Sequence, residues 1–304
     1  MDLKQRIGWI GTGVIGSACA SRLLDAGFDL AVYTRTRAKA EPLLSRGAHW
    51  TSSARELASD SCVVFSCVGY PHDVREIFFG QEGILQAWQN SPEASQRVYI
   101  DMTTSSPELA REIAEAARAN NFYALDAPVS GGDVGARNGT LSIMVGGDEH
   151  AAHTVTPILA CLGNNIRVLG PAGSGQRAKA TNQILIAGNM VGVCEALLYA
   201  YRAGLELEDV LASVSSGAAG SWSLSNLAPR ILRGDFEPGF YVEHFIKDMG
   251  IALEDAQRLG LALPGLALVK QLYLALQAQG GGKLGTQALI QALARISNVD
   301  AFGA

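Results

Sequence analysis

Apolar residues in the first half of the chain fall in short, nearly continuous runs separated by polar and glycine-rich turns. The first run is Ile7-Gly8-Trp9-Ile10; others cover residues 29–33, 62–68, 97–101, 122–127, 141–145 and 166–169. Their length and their content of Val, Ile, Tyr and Phe predict buried strands. Segments with helical spacing lie between them, such as residues 17–24 and the stretch that starts near Pro107. Strands alternating with helices predict a parallel α/β sheet of the Rossmann type. After Gly170 the pattern changes. From Ala178 onward almost every apolar segment has a helical period, so an all-α second domain is expected. A long interdomain helix, from about Gly175 to Arg202, leads into it. Gly170-Pro171-Ala172-Gly173 marks the expected boundary, which gives domains 1–170 and 171–304. No internal repeat or low-complexity segment interrupts either.

The first strand runs straight into Gly11-Thr12-Gly13-Val14-Ile15-Gly16 and then into a helical stretch. Strand, glycine turn and helix in this order suit a bound pyrophosphate. Gly11 permits the tight turn, Gly13 lets the backbone approach the phosphates, and Gly16 lets helix and strand pack closely. The helix N-terminus offers unpaired N–H groups to the anion. At the end of the second strand, where an acidic residue takes the ribose hydroxyls in NAD-binding folds, there is no carboxylate; Asp29 lies at the other end of the strand. Thr34, Arg35 and Thr36 stand there, followed by Arg37 and Lys39. A guanidinium and hydroxyls suit a 2′-phosphate, so NADP is expected over NAD. Val68 and Gly69, at the end of the strand over residues 62–68, should line the cofactor crevice. Helix capping explains one hydroxyl of Thr103-Thr104-Ser105-Ser106 but not four, which makes Thr104 a candidate cofactor contact.

Composition narrows the field. The chain has 304 residues, 48% of them hydrophobic, enough for a substantial core in two domains. A net charge of -5 with no long basic run argues against nucleic acid or an anionic membrane as the main partner. Cys19, Cys62, Cys67, Cys161 and Cys194 are scattered, with no CxxC pair. Reduced thiols in a cytoplasmic protein are expected, with no metal cluster. The polar N-terminus carries no signal-peptide pattern. Residues 184–200 are strongly apolar, but Asn189 and Glu195 interrupt them, so a buried helix is expected rather than a membrane span.

Three polar islands could carry chemistry. Ser130-Gly131-Gly132 would present several N–H groups beside a hydroxyl, a seat for a carboxylate. Lys179, Asn182 and Gln183 fall at i, i+3 and i+4 and share one helix face, which leads into very apolar sequence. A partly buried lysine there is expected to have a depressed pKa and to trade a proton near neutral pH, with an amide beside it to orient substrate. The third island is Lys247-Asp248, either a surface ion pair or a lysine reaching the cofactor.

Together and in this order, these segments resemble the β-hydroxyacid dehydrogenase family, the 3-hydroxyisobutyrate dehydrogenase-like enzymes. The resemblance covers essentially the whole chain. It runs from Gly11-x-Gly13-x-x-Gly16 through Asp126-Ala127-Pro128-Val129-Ser130-Gly131-Gly132-Asp133-Val134-Gly135-Ala136, Gly139-Thr140-Leu141 and Met144-Val145-Gly146-Gly147. It continues through Gly173-x-Gly175-x-x-x-Lys179-x-x-Asn182 to Lys247-Asp248. The resemblance implies hydride transfer between NADP(H) and a small hydroxy acid or its semialdehyde. Lys179 would be the general acid/base. Ser130, with the N–H groups of Gly131 and Gly132, would hold the substrate carboxylate, and Asn182 would orient substrate. Thr104 and Lys247 align with family cofactor contacts. Gln183 departs from the second asparagine of many members, and Trp222, in the loop 217–224, is a candidate substrate wall. Glyoxylate and succinic semialdehyde reductases share this machinery in the reductive direction. Imine reductases share the plan with the lysine replaced, so Lys179 argues against them. A non-catalytic NADP-binding module would need only the glycine loop and strand ends. The apolar long helix leads us to expect a homodimer or homotetramer formed through the α domain.

Overall fold

The computed structural model describes residues 6–89 and 96–303. The chain divides into two compact units between Lys179 and Ala180.

The first unit is built on a sheet. Its strands are β1 (Ile7–Ile10), β2 (Leu30–Tyr33), β3 (His49–Trp50), β4 (Val63–Ser66), β5 (Val98–Asp101), β6 (Tyr123–Asp126), β7 (Val129–Ser130), β8 (Leu141–Gly147) and β9 (Gly163–Val168). They lie in the order β3-β2-β1-β4-β5-β6-β8-β7, with β9 also paired to β8. From β3 to β6 every pairing is parallel. The order reverses between β1 and β4, and a doubly wound sheet opens a ligand crevice at the carboxyl ends of the strands at such a point. The glycine turn follows β1 and Val68-Gly69 follows β4, so both sit at that reversal.

Side chains alternate across the central strands into two cores. Trp9, Phe65 and Ile100 enter one, where Trp9 stacks on Phe65 with ring centroids 5.3 Å apart. Ile10, Val64 and Tyr99 enter the other. Each such fully buried side chain contributes roughly 1.5–3 kcal/mol relative to exposure.

The far end of the sheet departs from the expected uniform parallel pattern. β8 runs antiparallel to both β6 and β7, and parallel to β9. Only Ala127 and Pro128 separate β6 from β7. β6 and β7 meet β8 in one continuous register, and the ten residues 131–140 that join β7 to β8 are fewer than the dozen or so a parallel crossover needs, so β8 returns antiparallel. Burial along β8 alternates over residues 141–145, as for a strand covered on one face, whereas β1, β4 and β5 are buried throughout.

The second unit is helical. It contains most of the 29-residue helix Ser174–Arg202, then Leu207–Ser215, Trp222–Asn226, Ala228–Leu232, Val242–Arg258, Pro264–Ala278 and Leu289–Ile296. A single bridge between Tyr241 and Gly285 is the extended pairing among its described residues. Its core gathers Met190, Cys194 and Leu197 of the long helix around Phe245, Tyr273 and Leu289. Phe245 meets Tyr273 edge-on at 5.1 Å, and the Tyr273 hydroxyl donates to the Thr286 carbonyl at 2.8 Å, so its buried polar end is satisfied.

Candidate active site

The glycine turn is shaped as its three glycines demand. Gly11 has φ +97°, and a Cβ there would sit 2.2 Å from the Cys67 carbonyl oxygen. A Cβ at Gly16 would lie 2.3 Å from the Gly11 carbonyl oxygen. A Cβ at Gly13 meets nothing within 4 Å and would point into the open cradle. The loop's carbonyls are turned inward. The Trp9 indole N–H donates to Gly11 O at 2.9 Å, and the Ser17 hydroxyl donates to Thr12 O at 3.0 Å. The following helix, Val14–Asp25, has no side-chain cap and no acidic residue in its first turn. Thr12 Oγ1 is buried without a hydrogen-bond partner. Orphan N–H groups, an unpaired hydroxyl and an open approach suit a dinucleotide pyrophosphate. Trp9 as the residue that fixes the turn's carbonyl was not foreseen from sequence; a Trp two residues before the glycine was the available signal.

At the mouth beyond β2, Thr34 is half-buried, and Arg35, Thr36 and Lys39 are exposed. Arg35, with 81% of its side chain exposed, pairs with Asp73 at 3.0 Å. Asp73 leads the first turn of helix Pro71–Phe79, and its Oδ2 is buried without a partner. Residues 37–39 also open a short 3-10 helix, with Arg37 over the Trp50 ring at 5.6 Å. Val68 and Gly69 are half-buried, and Val68 N donates to Thr103 Oγ1 at 3.0 Å.

The hydroxyl run divides its labour. Ser106 is the cap, accepting from Glu108 N and Leu109 N. Thr103 braces Val68, Ser105 Oγ is buried without a hydrogen-bond partner, and Thr104 is half-buried. Beneath them Asp101 accepts from Ser66 Oγ at 2.8 Å and from Thr103 N at 3.0 Å, and Ser66 Oγ lies 2.7 Å from the Tyr99 hydroxyl. Burial pushes the Asp101 carboxyl up to about 6, against the hydrogen bonds that favour its charged form.

Ser130 ends β7, paired with Ser142 of β8. Gly131 and Gly132 follow at φ +133° and +62°, and helix Gly132–Asn138 starts with no side-chain cap. A Cβ at Gly132 would meet nothing within 4 Å. Ser130 therefore stands beside uncapped N–H groups and open space, as a carboxylate seat requires.

Lys179 is buried, with 8% relative exposure, in the second turn of helix Ser174–Arg202. Asn182 and Gln183 lie one turn further on. Gln183 is fully buried; Asn182 Nδ2 donates to its Oε1 at 2.8 Å, and its own Nε2 donates to Asp248 Oδ2 at 2.7 Å. Lys247 Nζ lies 3.0 Å from Asp248 Oδ1, with both side chains largely buried. The third island is thus an interior ion pair, not a surface one, and Gln183 links it to Asn182. The helix period could show that these residues fall on facing stripes; it could not show that Gln183 joins them. Trp222 opens a short helix and is 68% exposed.

A doubly wound sheet whose reversal carries this glycine cradle, with a buried lysine at the point where the chain passes into a helical unit, is the plan of a nicotinamide-dependent oxidoreductase. Residues 6–170 match the family model described as the NAD binding domain of 6-phosphogluconate dehydrogenase, and residues 173–293 match the NAD-binding model of NADP-dependent 3-hydroxyisobutyrate dehydrogenase. The chain belongs to the β-hydroxyacid dehydrogenase family, among the 3-hydroxyisobutyrate dehydrogenase-like proteins. It is 50% identical to the Arabidopsis thaliana protein named "Probable 3-hydroxyisobutyrate dehydrogenase-like 1, mitochondrial", over 97% of this chain and 87% of the relative. It is 38% identical to 2-hydroxy-3-oxopropionate reductase of Escherichia coli (strain K12), over 97% and 99%. The structure of Mycobacterium tuberculosis 3-hydroxyisobutyrate dehydrogenase with L-serine is similar, with TM-score 0.85 and 28% identity over 95% of this chain and 99% of that one. The chain is an NAD(P)-dependent oxidoreductase with β-hydroxyacid dehydrogenase activity.

Proposed function

We propose that the enzyme interconverts a small β-hydroxy acid and its semialdehyde with NADP(H), using Lys179 as general acid/base. The observation that carries this reading is a lysine held in the interior one turn from an amide network, Asn182–Gln183–Asp248–Lys247. Bound NADP supplies the hydride acceptor, or NADPH the donor. Ser130 and the N–H groups of Gly131 and Gly132 seat the substrate carboxylate. Asn182 orients the reacting hydroxyl, and Lys179 removes its proton in oxidation and returns one to the carbonyl oxygen in reduction. Thr104 and Lys247 contact the cofactor, and Gln183 and Trp222 shape the substrate end.

The exposed Arg35 beside Thr34, Thr36 and Lys39 supports NADP over NAD. The same feature, with the relationship to a 2-hydroxy-3-oxopropionate reductase, favours a second reading in which the enzyme works reductively on a semialdehyde such as glyoxylate or succinic semialdehyde. Five free thiols, three of them with pKa raised by burial, support residence in the cytoplasm. The exposed apolar face of the long helix supports a homodimer or homotetramer.

The test is a panel of small hydroxy acids and semialdehydes assayed with both nicotinamide cofactors. Lys179→Ala should lower kcat by about 10²–10⁴-fold while cofactor affinity holds. Arg35→Ala should cut the preference for NADP by about tenfold. Equal turnover of wild type and Lys179→Ala refutes the proton role, and a wild-type preference for NAD(H) refutes the assignment of Arg35.

A further inference from the structure

We propose that Asp126 is a positioning residue whose carboxylate, at the end of the strand leading to Ser130, clamps the first turn of the helix that presents Lys179. The inference rests on the proton role of Lys179 proposed above.

The geometry is specific. Asp126 Oδ1 accepts from Gly173 N at 2.8 Å, and Oδ2 accepts from Gln176 N at 2.8 Å. Both bonds are buried, and they take up N–H groups at the start of helix Ser174–Arg202 that its own ladder cannot satisfy. An acidic group also favours the positive end of a helix dipole. The clamp leaves almost no slack. A Cβ at Gly175 would lie 2.2 Å from Met144 O and 2.7 Å from Asp126 O, and one at Gly146 would lie 2.7 Å from Gly175 N. The helix start is therefore seated directly on the ends of β6 and β8, and Gly173, at φ +90°, turns the chain into it.

Gln176 completes the attachment. Its Nε2 donates to Thr103 O at 2.8 Å and its Oε1 accepts from Ser105 N at 2.8 Å, so one amide grips both sides of Thr104. Lys179 is three residues beyond Gln176. Asp126 is four residues before Ser130, and Ala127 N donates to Asp101 O at 2.7 Å, which holds that turn to β5. The carboxylate seat, the hydroxyl run and the lysine helix are thus fastened at one point, and a displacement of about 1 Å in such an arrangement costs on the order of 10²-fold in rate.

An amide in place of Asp126 presents one acceptor oxygen and an NH₂ group that faces a donor. Asp126→Asn should lower kcat by about 10–100-fold, with cofactor affinity and KM changed by less than about threefold. Amide exchange in residues 173–180 should quicken while β1 and β4 stay protected. The deciding measurement is the double variant, read by single-turnover kinetics. If Asp126 acts through Lys179, adding Asp126→Asn to Lys179→Ala should lower the residual rate by less than about twofold. Equal losses in the two backgrounds, or wild-type kcat in Asp126→Asn, would overturn the proposal. A normal rate for Lys179→Ala alone would refute the lysine assignment instead, so the two failures are distinct. Asp126→Ser, which is smaller and keeps one acceptor, serves where Asp126→Asn does not fold. Loss of the fold in both would also overturn the proposal, because the carboxylate would then support the whole unit rather than aim one helix.

Discussion

Asp101 shows how an interior carboxylate at a strand end sets a pH dependence. Its ordinary value of 3.8 is raised to about 6, first by burial and less by the charge of Asp126. The folded protein therefore binds this proton more tightly than the unfolded chain. The group's contribution to stability is most favourable below pH 3.8 and is lost as pH rises through about 6. Two pK units correspond to about 3 kcal/mol. Asp101→Asn keeps an acceptor for Ser66 Oγ and Thr103 N–H, which both donate to Oδ1, and removes the buried charge. Urea unfolding should find the variant more stable than wild type at pH 8, with the advantage shrinking by about 2 kcal/mol at pH 4.5. A difference that does not change with pH would show that the Asp101 carboxyl titrates alike in the folded and the unfolded chain.

The strand-turn-helix element was the most legible part of the chain, because a glycine turn between an apolar run and a helical pattern has few structural solutions. The expected strands over residues 62–68 and 97–101 appear as β4 and β5, shortened at their ends. β3 and β7, two residues each, were too short to carry a period. The antiparallel return of β8 depended on the short connection over residues 131–140, which hydrophobic patterning does not encode. Lys179, Ser130 and Asn182 could be picked out by type and spacing. Gln176 and Asp126 could not, because their work is done by contacts across 47 to 73 residues of sequence. Within the glycine turn, the two kinds of glycine should behave differently. Gly16→Ala puts a methyl against a backbone carbonyl and should destabilise the fold by about 1–3 kcal/mol. Gly13→Ala meets no protein atom, so its thermal midpoint should stay near that of wild type while the dissociation constant for NADP rises at least about tenfold. Calorimetry with and without nucleotide separates the two effects. Unchanged nucleotide affinity in Gly13→Ala would mean that the phosphates do not pass over this turn.

At the scale of the whole molecule the question is what covers the outward face of helix Ser174–Arg202. The helix is long and apolar enough to cross a membrane, with a mean hydropathy of 1.6 over its best window, of which 39% is buried. Its inward residues Ala187, Met190, Cys194 and Leu197 belong to the core of the second unit, so the helix is a core element on one side. The other side exposes Leu185 (64%), Gly188, Gly192 and Tyr199 (76%), spaced as one stripe. Added Cβ atoms at Gly188 and Gly192 would meet nothing within 4 Å, so another backbone could approach closely there. A lipid surface and a second copy of the chain would both cover such a stripe. Glu195 stands on the exposed side too, a poor guest for hydrocarbon but acceptable at a protein interface. Self-association is therefore the expected state, and a stable dimer requires about 800 Å² from each partner. Light scattering should give a mass of at least twice 32.0 kDa for wild type. Leu185→Glu combined with Tyr199→Glu should shift that mass to the monomer, because each would place an unpaired charge in the contact. Flotation with anionic vesicles should leave wild type in the aqueous fraction. A monomeric wild type, or one that floats with the vesicles, would assign the stripe to something other than a second copy.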